Sequence, residues 1–242
     1  MNIDYTQHYL KWHDESDNHR AAMIAHYQQL LTPRLLKSRD LKVLDIGCGM
    51  GFALLALREM GFIDLQGVEQ DEGQAASCRS KHLDVTLTDN TIAFLEQRTG
   101  NYDLIISLDV LEHLPVGIQI EFVRSISRAL RPEGQFICTV PNANSSLASR
   151  WRYIDWTHTT SFTEHSLDFL LTNGGLTDIK ICGHEFNRRP KHVWLPVGGA
   201  RHWWAFRFFR LFRRLEMMAE LGPTQGRTIP LSLNLIDRKS VV

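Results

Sequence analysis

The chain has 242 residues, 43% of them hydrophobic, which fits one α/β domain with a sizeable core. Its 27 basic and 27 acidic residues cancel, so the overall charge gives no sign of a nucleic-acid-binding protein. The cysteines have no CxxC spacing, and we interpret them as reduced, small apolar residues; they are Cys48, Cys78, Cys138 and Cys182. We find neither a signal-peptide-like start nor an apolar run near the roughly 18 residues of a membrane span, and therefore expect a cytoplasmic protein.

Residues 1–40 precede the predicted core, and residues 18–31 are expected to form a helix. His19 and His26 are seven residues apart and could share a helix face. Because no third ligand stands at a suitable spacing, we expect no metal site.

The stretch that follows combines a strand, a glycine turn and a helix. Residues 43–46 form an apolar run typical of a buried parallel strand, Gly47, Gly49 and Gly51 come next, and residues 52–57 are expected to be helical. Glycines permit positive φ, and a tight turn that opens a helix presents N–H groups to a polar ligand. The spacing is neither the GxGxxG of a dinucleotide site nor a P-loop. The alternative is a turn without a ligand.

Three later segments are predicted strands, and each ends in an acidic residue. The segments are 64–69, 83–89 and 101–109, and the acidic residues are Glu69, Asp89 and Asp109. The carboxyl ends of parallel strands form the ligand-binding edge of open α/β sheets. An acidic residue about 20 positions beyond a glycine turn can accept hydrogen bonds from both ribose hydroxyls, and Glu69 fits this position.

Taken together, the motifs resemble class I S-adenosylmethionine-dependent methyltransferases, and most closely the ubiquinone-biosynthesis-like O-methyltransferases and related sugar and polysaccharide methyltransferases. The resemblance covers about residues 40 to 185. It implies a Rossmann-like, seven-stranded, mostly parallel sheet with helices on both faces and an antiparallel last strand. The motifs that carry it are Val43 to Gly51, Leu111-Glu112-His113-Leu114, Leu130 to Gly134 and Val140-Pro141-Asn142.

The resemblance also implies S-adenosyl-L-methionine as cofactor. The glycine loop would pass its methionine part, Asp45 would position the loop and the ammonium, Glu69 would hold the ribose, and Asp89 would approach the adenine amine. The end of the fourth strand would flank the methionyl group. The expected cofactor-binding residues are Asp45, Gly47, Cys48, Gly49, Gly51, Glu69, Gln70, Asp89, Asn90, Ser107, Leu108 and Asp109.

The Leu-Glu-His-Leu motif has two interpretations. His113 follows a strand end and could act in catalysis near the sulfonium, or the motif starts a helix and is structural, which we favour because the family keeps it across many chemistries. A core helix over residues 116–130 follows. A turn at residues 131–134 is then expected to lead into a fifth strand at 135–140.

The next segment carries the candidate catalytic residues. The resembled family has an acid, a histidine and a phenylalanine-threonine helix start here, which Asp155, His158, Phe162 and Thr163 match. A neutral imidazole near pH 7 can take the proton of an acceptor hydroxyl, so His158 is the main candidate base, with Asp155 to orient it. Alternatively, His158 only bonds the loop to the helix. Thr163 is expected to cap a helix over residues 164–173.

Aromatic and basic residues just before His158 could line an acceptor pocket, because aromatic planes suit sugars or rings and arginines suit phosphate or carboxylate. They are Arg150, Trp151, Arg152, Tyr153 and Trp156. In the resembled family an N-terminal helical segment covers the substrate end of the site. The alternative is that the aromatic residues of positions 1–40 merely anchor their helix on the sheet.

Strands six (177–186) and seven (228–238) flank an insertion of about forty residues (187–226), which its length suggests is functional. Phe186 to Leu215 contains eight basic and no acidic residues, leaving 19 basic against 27 acidic in the rest. Residues 201–220 predict a helix with an apolar stripe opposite arginines. Such a helix either lies on an anionic membrane surface or packs on its own sheet or on a second subunit in a homodimer. No aromatic β platform for nucleic acid accompanies the charge.

We therefore predict an N-terminal helical cap (1–40) and a class I methyltransferase domain (41–242). The expected reaction is O-methylation of a saccharide or lipid-linked glycan hydroxyl. Alternative acceptors are a polyprenyl phenol or another small molecule. A rival hypothesis is a cofactor-binding partner subunit without turnover. The expected location is the cytoplasm, with a peripheral place at the inner face of the membrane as a second hypothesis.

Overall fold

The computed structural model describes Leu10 and residues 13–14, 16–35, 38–184 and 199–240. Its strands form one sheet in the order β3-β2-β1-β4-β5-β7-β6, in which β1 to β5 pair in parallel and β7 is antiparallel to both neighbours. The strands are β1 (Val43–Ile46), β2 (Leu65–Glu69), β3 (Asp84–Leu87), β4 (Tyr102–Leu108), β5 (Leu130–Pro141), β6 (Thr177–His184) and β7 (Asn234–Ser240). The predicted Rossmann-like fold class is confirmed.

Helices surround this sheet. They are α1 (Asp17–Leu31), α2 (Phe52–Glu59), α3 (Glu72–Ser80), α4 (Thr91–Glu96), α5 (Val116–Ala129), α6 (Ala148–Tyr153), α7 (Glu164–Asn173), α8 (Gly199–Leu221) and α9 (Pro223–Thr228), with a 3₁₀ turn at Leu111–His113. Alternate residues of the strands face opposite layers. In β1, Leu44 packs with α5 and α7, whereas Val43 packs with α1 and α2. Burial on both faces explains why the central strands are continuous apolar runs.

Two strand starts differ from the prediction by more than one residue. β5 begins at Leu130, not at residue 135, because Leu130 already pairs with Tyr102, and residues 131–134 bulge out before Gln135 pairs with Leu104. Glu133 has a left-handed φ of 62° within this bulge. β7 begins at Asn234, not at residue 228, because α9 occupies the preceding chain.

The N-terminal helix α1 packs on α2. Met23, Ile24 and Tyr27 join the apolar cluster that contains Phe52 and Leu55. Thr163 caps α7 as expected, since its hydroxyl accepts a hydrogen bond from the amide of Ser166 at 3.2 Å.

The four cysteines are free thiols. Three are buried, and Cys182 is exposed on β6.

The helix predicted at residues 201–220 is present as α8. Its apolar stripe is open to solvent rather than packed on the sheet. Trp204 is 52% exposed and Phe208 56%. Residues 187–198 of the predicted insertion, and the end of the predicted strand six at 185–186, lie outside the described residues. Nowhere in the described part of the chain is a helix both long and apolar enough to cross a membrane.

Candidate functional site

The glycine turn between β1 and α2 adopts backbone angles that favour glycine. Gly47, Gly49 and Gly51 have φ values of +68°, +56° and +80°. A Cβ on Gly47 would lie 2.6 Å from Cγ2 of Val110, and one on Gly51 would lie 2.4 Å from Cδ1 of Leu83. The turn is therefore restricted to glycine by conformation and by space, and it brings the backbone close to the carboxyl edge of the sheet.

Glu69, at the end of β2, holds this turn in place. Its Oε2 accepts a hydrogen bond from the amide of Gly49 at 2.9 Å. Its Oε1 accepts from the amides of Gln70 (2.9 Å) and Asp71 (3.0 Å). Burial raises the pKa of this carboxyl, while the three amide hydrogen bonds oppose the rise.

Asp45, in β1, is a buried carboxyl beneath the turn. Only 2% of its surface is exposed, and Oδ2 has no hydrogen-bond partner among the described residues. Burial, and secondarily the charge of Glu69, raise the pKa of Asp45 to about 8. Since no described residue bonds Oδ2, a positive group of a ligand at this oxygen would stabilise the ionised form of Asp45.

One cavity of about 1190 Å³ runs along the carboxyl edge of the sheet. Every expected cofactor-binding residue lines it except Gly51, which caps α2, and Ser107, whose side chain is fully buried. Asp109 is exposed to this cavity, yet the protein around the cavity desolvates its carboxyl and raises its pKa. Its Oδ1 accepts a hydrogen bond from the hydroxyl of Thr139 at 2.8 Å.

At the far end of the cavity, His158 lies against His113, with ring centroids 4.6 Å apart. Nδ1–H of His158 donates to the carbonyl of Trp151 at 3.0 Å, because a carbonyl can only accept. His158 thus bonds the loop to α6 rather than to the helix that begins at Glu164, and this bond leaves Nε2 as a proton acceptor.

The carboxylate of Asp155 hydrogen-bonds Thr157, whose hydroxyl donates to it at 2.7 Å. The same hydroxyl therefore accepts from Nδ1–H of His113, also at 2.7 Å. Burial and the charge of His158 lower the pKa of His113 to about 4. Asp155 is thus joined through Thr157 to His113, which touches His158. This bridge could not be found by spacing, because residues 113 and 157 are far apart in sequence.

Of the proposed acceptor-pocket residues, Arg150 and Trp151 line the cavity. Tyr153 and Trp156 do not, being 76% and 94% exposed, and Arg152 is bonded to the carbonyl of Thr159 at 3.0 Å. His13 and Tyr27, from the N-terminal segment expected to cover the substrate end, also line the cavity, as do Glu112 and Thr157, which were not among the expected site residues.

Residues 16–181 match a family of methyltransferase domains. The chain belongs to this family. A relative from Mycobacterium tuberculosis H37Rv, named as a probable S-adenosylmethionine-dependent methyltransferase, is 32% identical over 174 residues, which cover 71% of this chain and 61% of that protein. The chain thus spans about three-fifths of that relative's length.

A second relative and a solved structure are also similar to this chain. A ubiquinone biosynthesis O-methyltransferase of Pseudomonas aeruginosa PAO1 is 31% identical over 108 residues, covering 43% of this chain and 45% of that protein. The crystal structure of a SAM-dependent methyltransferase from Archaeoglobus fulgidus superposes with a TM-score of 0.67 at 22% identity, covering 98% of this chain and all of that one. This last likeness concerns the fold alone.

S-adenosyl-L-methionine is the cofactor of this methyltransferase domain, and the residues present fit it. The unpartnered oxygen of buried Asp45 suits the ammonium, the N-terminus of α2 suits the carboxylate, and Glu69 faces the same cavity with acceptor oxygens for ribose hydroxyls. Asp89 and Asn90 line the cavity beyond Glu69, where the adenine is expected.

Proposed function

We propose that the protein transfers the methyl group of S-adenosyl-L-methionine to a hydroxyl oxygen of a saccharide or a lipid-linked glycan. The observation that carries this proposal is the continuity of the cavity from the glycine turn to His158. Its volume of about 1190 Å³ exceeds the range of single-ligand pockets, roughly 300–1,000 Å³, so two substrates can lie together in it. When bound, the cofactor supplies a methyl group on a positively charged sulfur.

His158 is the proposed general base. Its Nδ1–H is fixed on the carbonyl of Trp151, so Nε2 is the nitrogen that takes the hydroxyl proton. Asp155 is proposed as a positioning residue, acting through Thr157 and His113 on the ring of His158. Proximity and alignment of the two substrates would provide most of the rate enhancement.

The acceptor end of the cavity combines polar and apolar walls. Arg150 and Trp151 suit a sugar with an attached acidic group, which favours a glycan. Leu114, Ile118 and Phe122 also line the cavity and suit a polyprenyl phenol, the second candidate. The naming of relatives for ubiquinone biosynthesis supports this second candidate.

Helix α8 supports a lipid-linked acceptor at the inner face of an anionic membrane. Trp204, Phe208 and Phe209 are each more than half exposed on one helix, and Arg201 and Arg207 are also exposed. Exposed aromatic residues combined with arginines favour an interfacial position on anionic lipid. The competing use of this surface is a homodimer contact.

Methyl transfer from labelled cofactor to a panel of glycans, glycolipids and polyprenyl phenols would test the reaction. Wild type should label an acceptor, and His158→Ala should lose activity on the order of 100-fold or more while still binding S-adenosylhomocysteine. A protein that binds the cofactor but labels no member of the panel would favour the partner-subunit hypothesis.

Flotation with liposomes of anionic or neutral lipid would test the surface of α8. The variant Arg201→Glu/Arg207→Glu should lose binding to anionic liposomes, whereas Arg128→Glu, on α5, should retain it. Arg214 is a poor choice for this test, because it bonds the carbonyls of Gly226 and Ile229 and has a structural role. Unchanged flotation of the double variant, or a dimer in sedimentation, would contradict the membrane assignment.

A further inference from the structure

Glu112, His113 and His158 meet at the acceptor end of the cavity. One ligand atom from each lies within 4.8 Å of the others, and all three residues line the cavity. They come from the 3₁₀ turn after β4 and from the loop before α7. These segments are tied together, because the amide of Thr159 donates to the carbonyl of Glu112 at 2.6 Å.

The carboxyl of Glu112 receives little compensation from the described residues, since a hydrogen bond from its own backbone is what favours the ionised form. The residue is fully buried, and neither carboxylate oxygen has a hydrogen-bond partner in another described residue. Nearby Asp109 and Asp155 further disfavour its ionised form. A buried carboxyl in such a place is either protonated or bound to a cation.

Each of the two imidazoles has its Nδ1 held by a hydrogen bond, which leaves Nε2 to bind a metal. Nδ1–H of His113 donates to the hydroxyl of Thr157, which in turn donates to the carboxylate of Asp155. Nδ1–H of His158 donates to the carbonyl of Trp151. Hydrogen bonds of this kind, to a carbonyl or toward a carboxylate, fix the ring and the tautomer of histidines that bind metals.

We propose that Glu112, His113 and His158 bind a divalent transition-metal ion of the zinc type. Two imidazoles and one carboxylate form a ligand set used by zinc, and they leave at least one coordination position open. Metal binding at this site does not depend on the proposed reaction, but the role of the metal rests on the proposed methyl transfer. An acceptor hydroxyl at the open position would lose its proton to solvent more readily, and its oxygen would form the C–O bond as the methyl C–S bond breaks. In that state His158 is a ligand, not the base.

Calorimetric titration of the metal-stripped full chain with Zn²⁺ tests the proposal. All proteins should carry Cys182→Ser, because the exposed thiol of Cys182 could bind zinc by itself. Glu112→Gln keeps size and removes charge, and His158→Asn removes one nitrogen ligand. His19→Asn is the matched control, since His19 belongs to a separate histidine pair, 3.1 Å from His13. Titration of each variant with S-adenosylhomocysteine verifies that it is folded.

We expect one Zn²⁺ per chain, with a Kd at least about tenfold higher in Glu112→Gln and His158→Asn and unchanged in His19→Asn. No binding by the parent protein, or equal binding by all four proteins, would overturn the proposal. Methyl transfer that persists in chelator, with no zinc bound, would overturn the proposed role of the metal in the reaction, whereas the site itself stands or falls with the Zn²⁺ titration. Zinc binding without methylation of any acceptor would refute the reaction and leave the site intact.

Discussion

Glu69→Ala is the substitution that most directly tests how the cofactor is held. Glu69 restrains the glycine turn through the amide of Gly49 at 2.9 Å and faces the cavity where the ribose is expected. Hydrogen bonds to a charged acceptor contribute roughly 1.5–3 kcal/mol each. Three backbone amides already bond this carboxylate, which leaves one acceptor position, on Oε2. Loss of one ribose hydroxyl bond there costs about 1.5–3 kcal/mol, a weakening of roughly 10- to 150-fold in Kd. Loss of the hydrogen bond that holds the amide of Gly49 would weaken cofactor binding further.

Calorimetric titration with S-adenosylhomocysteine measures this effect. Glu69→Gln retains one carbonyl acceptor and should fall between wild type and Glu69→Ala, at about tenfold weaker binding. Glu72→Ala is the matched control, because Glu72 lies three residues further on and forms an exposed ion pair with Arg79 at 3.2 Å. Its Kd should be unchanged. A Glu69→Ala protein that unfolds cooperatively yet binds within about threefold of wild type would show that the carboxylate does not hold the cofactor.

Three further substitutions separate the physical contributions to the site. In Gly51→Ala the added Cβ would clash with Leu83 at an unfavourable φ, so the free energy of unfolding should fall by about 2–4 kcal/mol. Gly61→Ala, at φ +92° in open space, should lower it by only about 1 kcal/mol. Equal losses for the two variants in chemical denaturation would contradict this expectation. Because folding raises the pKa of Asp45 from 3.8 to about 8, the cofactor-free protein should lose stability as pH rises from about 4 to about 8. In thermal melting, Asp45→Asn should remove the share of this stability loss that Asp45 causes. Thr157→Val breaks the bridge from Asp155 and should slow methyl transfer about tenfold with unchanged S-adenosylhomocysteine binding; an unchanged rate would exclude a positioning role.

The sheet and the cofactor end of the site were predictable because both depend on local signals. Apolar runs located the central strands, and the bounds of β1 agree with the prediction residue for residue. The glycine spacing predicted the turn, and the chain position of Glu69 predicted an acidic residue at the end of β2. The hydrogen bond from the amide of Gly49 to Glu69 was not predicted, since Asp45 was expected to position the loop. In a parallel sheet these signals also imply proximity, because strand ends converge on one edge.

The acceptor end was less predictable, because its contacts join distant parts of the chain. The motif at residues 111–114 and the loop at 155–160 were each noted, but their pairing depends on backbone bonds such as Thr159 to Glu112. Spacing placed Asp155 near His158, whereas its carboxylate bonds Thr157. The amphipathic pattern of α8 predicted a helix but did not determine what its apolar side faces, since a core, a partner and a lipid surface require the same periodicity.

The charges around the cavity connect these observations to substrate choice. Burial raises the pKa of Asp45, Glu69, Asp109 and Glu112, because negative charge at this edge of the sheet is poorly solvated. Glu69 and Asp109 accept hydrogen bonds, whereas Oδ2 of Asp45 and both carboxylate oxygens of Glu112 have no partner among the described residues. A cofactor with a positive sulfur and an ammonium offsets this charge, and an ion at Glu112 would do so further. An anionic group placed beside the reacting oxygen would instead add to the repulsion. The reacting part of the acceptor should therefore be a neutral hydroxyl, with any phosphate or carboxylate of the same molecule held away from it at Arg150.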